Sequence, residues 1–287
     1  MVAIRHFALL LTLVALSLST SSGHAGPASA EGADTSSLFA QSAAEALTRD
    51  FPSDDISFLL LDARSGAVLA SRWGHPDAPI AMGSLLKPFA ALAYGELHDY
   101  QYPSHTCRGT RTGCWLPRGH GDVNLTLAVA HSCNSYFRML TEDLSAADVS
   151  PTAIRFGLDR PDPETAGLEF AGLGVHWRTS PLRLAQAYLE LARQRQQPAV
   201  SQILDGMSLS ARQGTGAAVH RVFPVPDVLV KTGTAACSHS PHAPGDGFVV
   251  VLVPAANPQL LLMVRVHGVP GSQAAKTAGQ MLRRIEN

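Results

Sequence analysis

Apolar positions recur along the chain at two periods, and the switches between them mark out the elements. From Ser37, SLFAQSAAEALTRDF sets Leu38, Phe39, Ala43, Ala46 and Leu47 on one helical stripe with Ser36 or Ser37 available as a cap, which predicts a first helix. DISFLLLDARSGAVLASRW reads as a hairpin, because two β-rich runs flank Asp62-Ala63-Arg64-Ser65-Gly66 and Gly66 can take positive φ. Residues 84–97 are helical in pattern, whereas 101–122 are rich in Gly, Pro, Cys and His without a period and read as loop. LTLAVAHSCNSYFRML carries a helical pattern, and SPLRLAQAYLELARQ starts a helix with Ser180 as N-cap and Pro181 at the first helical position. The β-branched run VPDVLV leads into KTGT at 231–234. GFVVVLVPA and QLLLMVRVHG then form two strands joined by the turn Ala256-Asn257-Pro258, and SQAAKTAGQMLRRIE closes the chain as a helix. The order helix, hairpin, helical middle, three strands, helix predicts an α/β (α+β) fold. Its central antiparallel sheet comes from both ends of the chain, flanked by the N- and C-terminal helices, with a helical lobe inserted between.

A length of 287 residues, a formal net charge of −1 and 46% hydrophobic residues allow one well-cored domain with room for two lobes. With no basic stripe, and with Arg283 and Arg284 on a terminal helix, nucleic acid is excluded as a partner. Residues 1–30 differ from the rest: Arg5 and His6 precede FALLLTLVALSL, and Ala28-Ser29-Ala30 offers a small-x-small cleavage site, with Ala25 an alternative. That pattern is a secretory signal peptide; its apolar run is shorter than the roughly 20 residues of a membrane span. The expected mature protein, residues 31–287, is a single extracytoplasmic catalytic domain, periplasmic or secreted, without a membrane span.

AMGSLLKPFAAL places Ser84 and Lys87 one turn apart at the start of a helix, so both face the same way. A serine hydroxyl is a poor nucleophile until a base takes its proton, and lysine can be that base if burial or a neighbouring cation lowers its pKa. Lys231 of KTGT could be the cation. The helix N-terminus would favour negative charge developing on an attacked carbonyl. Alone this spacing is weak, because a capping serine beside a solvated lysine has it too. HSCNSYF adds Ser132 and Asn134, a second hydroxyl and an amide, in a pairing that usually marks a cap or turn.

S-x-x-K, then S-x-N, then K-T-G in that order is the signature shared by penicillin-binding proteins and serine β-lactamases. The likeness extends beyond the three motifs. GSLLKPFAALAYGE resembles the nucleophile helix of penicillin-binding transpeptidase domains, and GHGDVNLTLAVAHSCNSYF resembles the approach to the second motif in elongation-type members. FAGLGVHWRTSPLRLAQAY and RQGTGAAVHRVFPVPDVLVKTGTA resemble their later segments, so the similarity covers most of residues 55–265. Met82-Gly83 and Leu85-Leu86 stand where the family often has Pro-Gly and Thr-Phe. High-molecular-weight members carry a pedestal or glycosyltransferase domain ahead of this one; with none read before residue 50, the expectation here is a solitary domain.

What the resemblance implies is acyl transfer on peptidoglycan stem peptides, or on β-lactams, by a transpeptidase or D,D-carboxypeptidase that needs no cofactor for catalysis. Ser84 would be the nucleophile, Lys87 its base, Ser132 the proton relay, Asn134 the substrate amide's holder and Lys231 a source of positive potential. Thr232 and Thr234 would meet the terminal carboxylate, and Gly233, lacking a side chain, would let a substrate lie along the strand edge. The backbone N–H groups of Ser84 and Thr234 would form the oxyanion hole. A serine β-lactamase shares the acylation chemistry, although class D enzymes typically have an apolar residue where Asn134 stands. A non-catalytic sensor of β-lactams or wall peptides is the third reading.

In an exported protein the default for four cysteines is disulfides, and Cys107 with Cys114 is a plausible pair. CRGTRTGCWLPRGHG followed by HSCN also resembles the insert that holds zinc beside the active site of some elongation-type proteins. Cys107, Cys114, His120 and Cys133 would then form a Cys3His set suited to a structural zinc. Cys237, His239 and His242 have loose ligand spacing in a loop read as solvated. Glu164 and Glu169 lie where class A β-lactamases keep a hydrolytic glutamate, but outside its sequence context, and are read as surface residues.

Overall fold

The computed structural model describes residues 30–224, 227–237, 242–243 and 245–286. The signal-peptide reading rests on residues 1–29 and Ala30, so all but its last residue lies outside the described residues, as do His239 and the start of VPDVLV. Among the described residues no helix is long and apolar enough to cross a membrane.

The first helix, α1 (Ala30–Asp50), runs through Ser36 and Ser37 rather than being capped there. Of its expected stripe, Ala43 and Leu47 are buried, whereas Leu38 is 66% exposed. The hairpin forms as expected from β1 (Ile56–Asp62) and β2 (Val68–Arg72), with Gly66 at φ +75° in the turn. The Asp62 carboxylate closes that turn by accepting from the backbone N–H groups of Arg64 and Ser65.

A short strand β3 (Ile80–Ala81) leads into a 3-10 turn, Gly83–Leu86, and only then into α2 (Lys87–Leu97). Ser84 therefore lies on the turn ahead of the helix. The segment read as loop contains a two-stranded ribbon, β4 (His105–Cys107) paired with β5 (Gly121–Val123), around a second 3-10 turn, Gly109–Thr112. Strands of three residues are too short to leave a period in the sequence. The rest of the lobe comprises α3 (Leu125–Ala130), α4 (Asn134–Leu140), α5 (Ala146–Arg155), the small strand β6 (Arg178–Thr179) paired with β3, α6 (Pro181–Arg193), α7 (Pro198–Gln213) and α8 (Ala217–Val222). Ser180 caps α6 as expected, its hydroxyl accepting from the Arg183 N–H.

The chain then returns to the sheet through β7 (Leu229–Ala235), β8 (Asp246–Val253) and β9 (Leu260–Val266), and ends in α9 (Gly271–Glu286). The sheet has five strands in the order β2-β1-β9-β8-β7, and every neighbouring pair is antiparallel. The predicted fold class stands: β1 and β9, from opposite ends of the chain, are adjacent at the centre.

Alternation explains why these strands read as unbroken apolar runs. Phe58, Leu60, Val249, Val251, Leu262 and Val264 face a core shared with α1 and α9, including Leu47, Ala278 and Met281. The intervening Leu59, Leu61, Phe248, Val250, Leu261 and Met263 face the helical lobe. Both faces are covered, so neither alternate set can be polar. Strand β7 is one of the two edges of the sheet, and the Gly83–Leu86 turn packs against it.

Leu262 is fully buried at the centre of the terminal-helix layer. Leu262→Ala should lower the unfolding free energy by about 2–5 kcal/mol in urea titrations, with an unchanged far-ultraviolet circular dichroism spectrum at zero urea.

Candidate active site

The turn that carries Ser84 is pinned to β7 by two glycines. Gly83 takes φ +53°, and a Cβ on it would lie 2.1 Å from the Thr234 carbonyl oxygen. A Cβ on Gly233 would come within 2.6 Å of the Met82 carbonyl oxygen. The missing side chain of Gly233 is thus required by the chain's own packing, a reason different from the expected room for substrate along the strand. The result is close approach of Ser84 to the edge of β7.

The predicted continuous helix over LTLAVAHSCNSYFRML is broken at His131–Cys133. The Ser132 N–H donates to Val129 O at 3.2 Å and the Cys133 N–H to Ala128 O at 2.9 Å, the bond pattern of a Schellman helix end. Such ends place a left-handed residue after the cap, normally Gly. Here it is Ser132, at φ +48°, and an L-residue in that region stores on the order of 1–2 kcal/mol of strain. No glycine signals the break in the sequence, which is why the pattern reads as one helix. The turn projects Ser132 into the site, and Asn134 starts the next helix.

Lys87 and Lys231 are both fully buried. Lys87 Nζ donates to Asn134 Oδ1 at 2.6 Å and to the Ser132 carbonyl oxygen at 3.2 Å, and it lies 5.2 Å from the centre of the Phe137 ring. Lys231 Nζ donates to Ser132 Oγ at 3.0 Å and to the Thr232 carbonyl oxygen at 2.7 Å. Burial lowers the Lys87 pKa to about 7, partly opposed by Cys133 and Cys114. Burial, and secondly repulsion from Lys87, holds Lys231 well below the ordinary lysine range. Of the two causes the sequence left open, burial and the Lys231 cation, burial is the principal one at Lys87. Ser132 joins the two lysines, offering its carbonyl to one and its hydroxyl to the other.

These groups surround a cleft of about 310 Å³ lined by Ser84, Ser132, Asn134, Thr232, Gly233 and Thr234 among others. The structure therefore gathers the residues of all three motifs, from positions up to 150 apart in sequence, around one opening, with the Lys87 and Lys231 ammonium groups just behind it. Sequence reasoning missed Thr215, whose hydroxyl accepts from Thr232 Oγ1 at 2.6 Å, and also Trp115, Leu173 and Ser272, which line the same cleft. None of these lies in a motif with its own spacing signal. Glu164 is exposed, and Glu169 accepts from the N–H and Nδ1 of His176, both at 2.9 Å; neither lines the cleft.

Beside the site, the ligand atoms of Cys107, Cys114, His120 and Cys133 converge within 4.8 Å of one another. All four cysteines are free thiols, so the Cys107–Cys114 disulfide is not formed. The His120 Nδ1 lies 3.5 Å from the sulfurs of Cys107 and Cys114, and the Cys114 and Cys133 sulfurs are 3.9 Å apart. A tetrahedral zinc with ordinary Zn–S and Zn–N bonds sets S···N at about 3.5 Å and S···S at about 3.8 Å. The donor set and its spacing fit that ion. Cys237 is placed with Asp246 and His267 instead of with His242, which is exposed.

Residues 56–286 match the penicillin binding protein transpeptidase domain family. No curated protein matches the chain in sequence. Among solved structures, Pseudomonas aeruginosa PBP2 aligns with a TM-score of 0.68 at 17% identity, over 87% of this chain and 73% of that one. The transpeptidase domain of Burkholderia pseudomallei penicillin-binding protein 3 aligns with a TM-score of 0.66 at 17% identity, over 88% and 92%. Helicobacter pylori PBP2, solved with MreC, gives a TM-score of 0.70 at 17% identity over 86% of this chain and 62% of that one. At these identities the likeness is one of fold.

The strained turn yields a test of its own. Ser132→Gly relieves about 1 kcal/mol of left-handed strain but leaves buried Lys231 one acceptor short, a loss of about 1–3 kcal/mol, so the variant should be no more stable than the wild type in urea unfolding. It also deletes the hydroxyl on Lys231, so covalent labelling by a fluorescent penicillin should fall by at least an order of magnitude on the same preparation.

Proposed function

The chain belongs to the penicillin binding protein transpeptidase domain family, and on that premise we propose that it is a serine acyltransferase. Its substrates are the D-alanyl-D-alanine ends of peptidoglycan stem peptides, outside the cytoplasm, and β-lactams acylate the same serine. The observation that carries the reading is the buried chain Asn134–Lys87–Ser132–Lys231 beside the cleft that Ser84 lines.

Each group has a task that follows from its surroundings. Neutral Lys87 takes the proton of Ser84 Oγ as that oxygen bonds to the carbonyl carbon of the penultimate D-alanine. The C–N bond to the terminal D-alanine then breaks, and its amine leaves with a proton delivered through Ser132. Asn134 presents its amide to the substrate while its Oδ1 accepts from Lys87. The carboxylate of the leaving residue is drawn by Lys231 and bonded by the hydroxyls of Thr232 and Thr234. Backbone N–H groups of Ser84 and Thr234 receive the developing oxyanion, which the pinned turn keeps close together. Water or an amine then accepts the acyl group, making the enzyme a carboxypeptidase or a transpeptidase. Glu164 is exposed and Glu169 is engaged by His176, so neither of these two is offered to the cleft as the hydrolytic glutamate of a class A β-lactamase.

We further propose that Cys107, Cys114, His120 and Cys133 hold a structural zinc. The ion supplies a cross-link and no catalytic step. Because Cys133 sits between Ser132 and Asn134, its ligation would fix the turn that aims both.

Intact-mass spectrometry with a fluorescent penicillin tests the enzyme assignment: one long-lived adduct is expected on the wild type and none on Ser84→Ala. Absence of an adduct on the wild type sinks the assignment, and turnover within seconds would favour a β-lactamase. Because Lys87 accepts a proton only when neutral, the acylation rate should rise with pH through about 7 and level off above it. A rate that is flat across that range would remove Lys87 as the base. For the metal, elemental analysis should find one zinc per chain, and Cys107→Ser with His120→Ala should abolish it and lower the melting temperature.

A further inference from the structure

The break between α3 and α4 leaves carbonyls that its Schellman bonds do not use. Those bonds take the carbonyls of Val129 and Ala128, and the Ala130 carbonyl accepts from the Thr215 N–H at 3.2 Å. The next two carbonyls, of His131 and Ser132, accept from no backbone N–H among the described residues. Helix ends leave such groups to side chains or to water. Here one side chain serves both: the Trp115 indole N–H donates to His131 O at 3.3 Å and to Ser132 O at 3.2 Å.

The Ser132 carbonyl is a shared point, because Lys87 Nζ also donates to it at 3.2 Å. A carbonyl oxygen has two lone pairs, and two donors arriving from different directions are received together only over a narrow range of peptide-plane orientations. The other end of the same peptide is fixed as well, since the Cys133 N–H donates to Ala128 O at 2.9 Å. This plane sets the direction in which Ser132 projects and the start of α4, where Asn134 Oδ1 takes the shorter Lys87 bond, 2.6 Å. Trp115 is itself held from the far side: the Cys114 N–H before it donates to Gly109 O at 3.0 Å, and its ring stands edge-on to His120 at 5.4 Å between centroids. Water at the two carbonyls would satisfy them without fixing their direction.

We infer that Trp115 is a positioning residue whose indole N–H fixes the Ser132–Cys133 peptide plane and, through it, the arrangement of Lys87, Ser132 and Asn134. The inference rests on the acyltransferase reading and adds to that site a group from outside its three motifs. The role belongs to the N–H and not to the ring. A ring of the same shape without the N–H leaves both carbonyls unpaired, so it loosens the turn while every surface of the cleft keeps its form.

Trp115→benzothienylalanine, introduced by stop-codon suppression, makes that change, with sulfur in place of the N–H. Trp115→Phe is the encoded counterpart, which keeps the test decisive if the first variant is not produced folded. Acylation of Ser84 by benzylpenicillin is followed by mass over a concentration series, giving a half-saturation concentration and a limiting rate. The limiting rate should fall by about 3- to 10-fold in both variants, the loss of one neutral hydrogen bond, and the benzothienyl variant should keep the half-saturation concentration within about twofold. Hydrogen–deuterium exchange reads the turn without any acylation: the Ser132 and Cys133 amides should exchange about 3- to 10-fold faster than in the wild type. An unchanged limiting rate, a loss confined to the half-saturation concentration, or unchanged exchange at those two amides overturns the inference. A wild type that forms no adduct overturns the acyltransferase reading instead, and the exchange comparison then decides by itself whether the N–H holds the turn.

Discussion

Two lysine ammonium groups buried beside one another are the costliest feature of this molecule, and much of its architecture answers to them. An unpaired cation in a low-dielectric interior is destabilising by several kcal/mol, so it must either find acceptors or lose its proton. Lys87 does both in part. Asn134 Oδ1 and the Ser132 carbonyl take its hydrogens, the Phe137 ring lies near it, and its pKa falls to about 7. Lys231 is held by Ser132 Oγ and by the carbonyl of the next residue. The interior of the lobe has been given enough acceptors to keep two lysines inside, and too few to keep both fully charged. A lysine that gives up its proton near neutral pH is the result of that burial.

The acceptors are in place only because the backbone at Ser132 is forced into a conformation that an L-residue resists. The helix end uses Schellman bonds, and the position that glycine would occupy without strain is a serine. The strain is sustained from several sides. Cys133 reaches into the Cys3His cluster, and the Trp115 N–H bonds both carbonyls before the turn. Lys231 holds the hydroxyl. This is the usual relation between local strain and chemistry: the surroundings over-determine a geometry that the segment would not choose alone. The same relation explains why a cysteine-rich ribbon with no catalytic group of its own belongs next to the cleft.

Much of the fold was legible in advance, since long periodic segments report their environment directly. The runs ISFLLLD, GFVVVLV and LLLMVRV alternate between two apolar faces, so a sheet covered on both sides follows from composition and length. Ser180-Pro181 announced α6, and Gly66 announced the hairpin turn. Three motifs in fixed order also pointed to one site, and the structure brings their Ser, Lys and Asn side chains together around one cleft. The misses fall where elements are short or locally strained. The ribbon of three-residue strands, the 3-10 turn under Ser84 and the break at Ser132 carry no period and, in the last case, no glycine.

The sequence by itself therefore determined which residue types the site has, the order of its motifs and the layers of the fold, because these depend on side-chain chemistry and hydrophobic period. Tertiary structure alone decided that Lys87 is tuned by burial more than by Lys231, since desolvation depends on what packs around a group and not on its neighbours in sequence. It alone decided that Gly233 answers to the carbonyl of Met82, that the cysteine segment closes on Cys133 as free thiols, and that Trp115 and Thr215 face the cleft. Each of these is a contact between segments distant in the chain, and no local pattern encodes which distant surface will arrive.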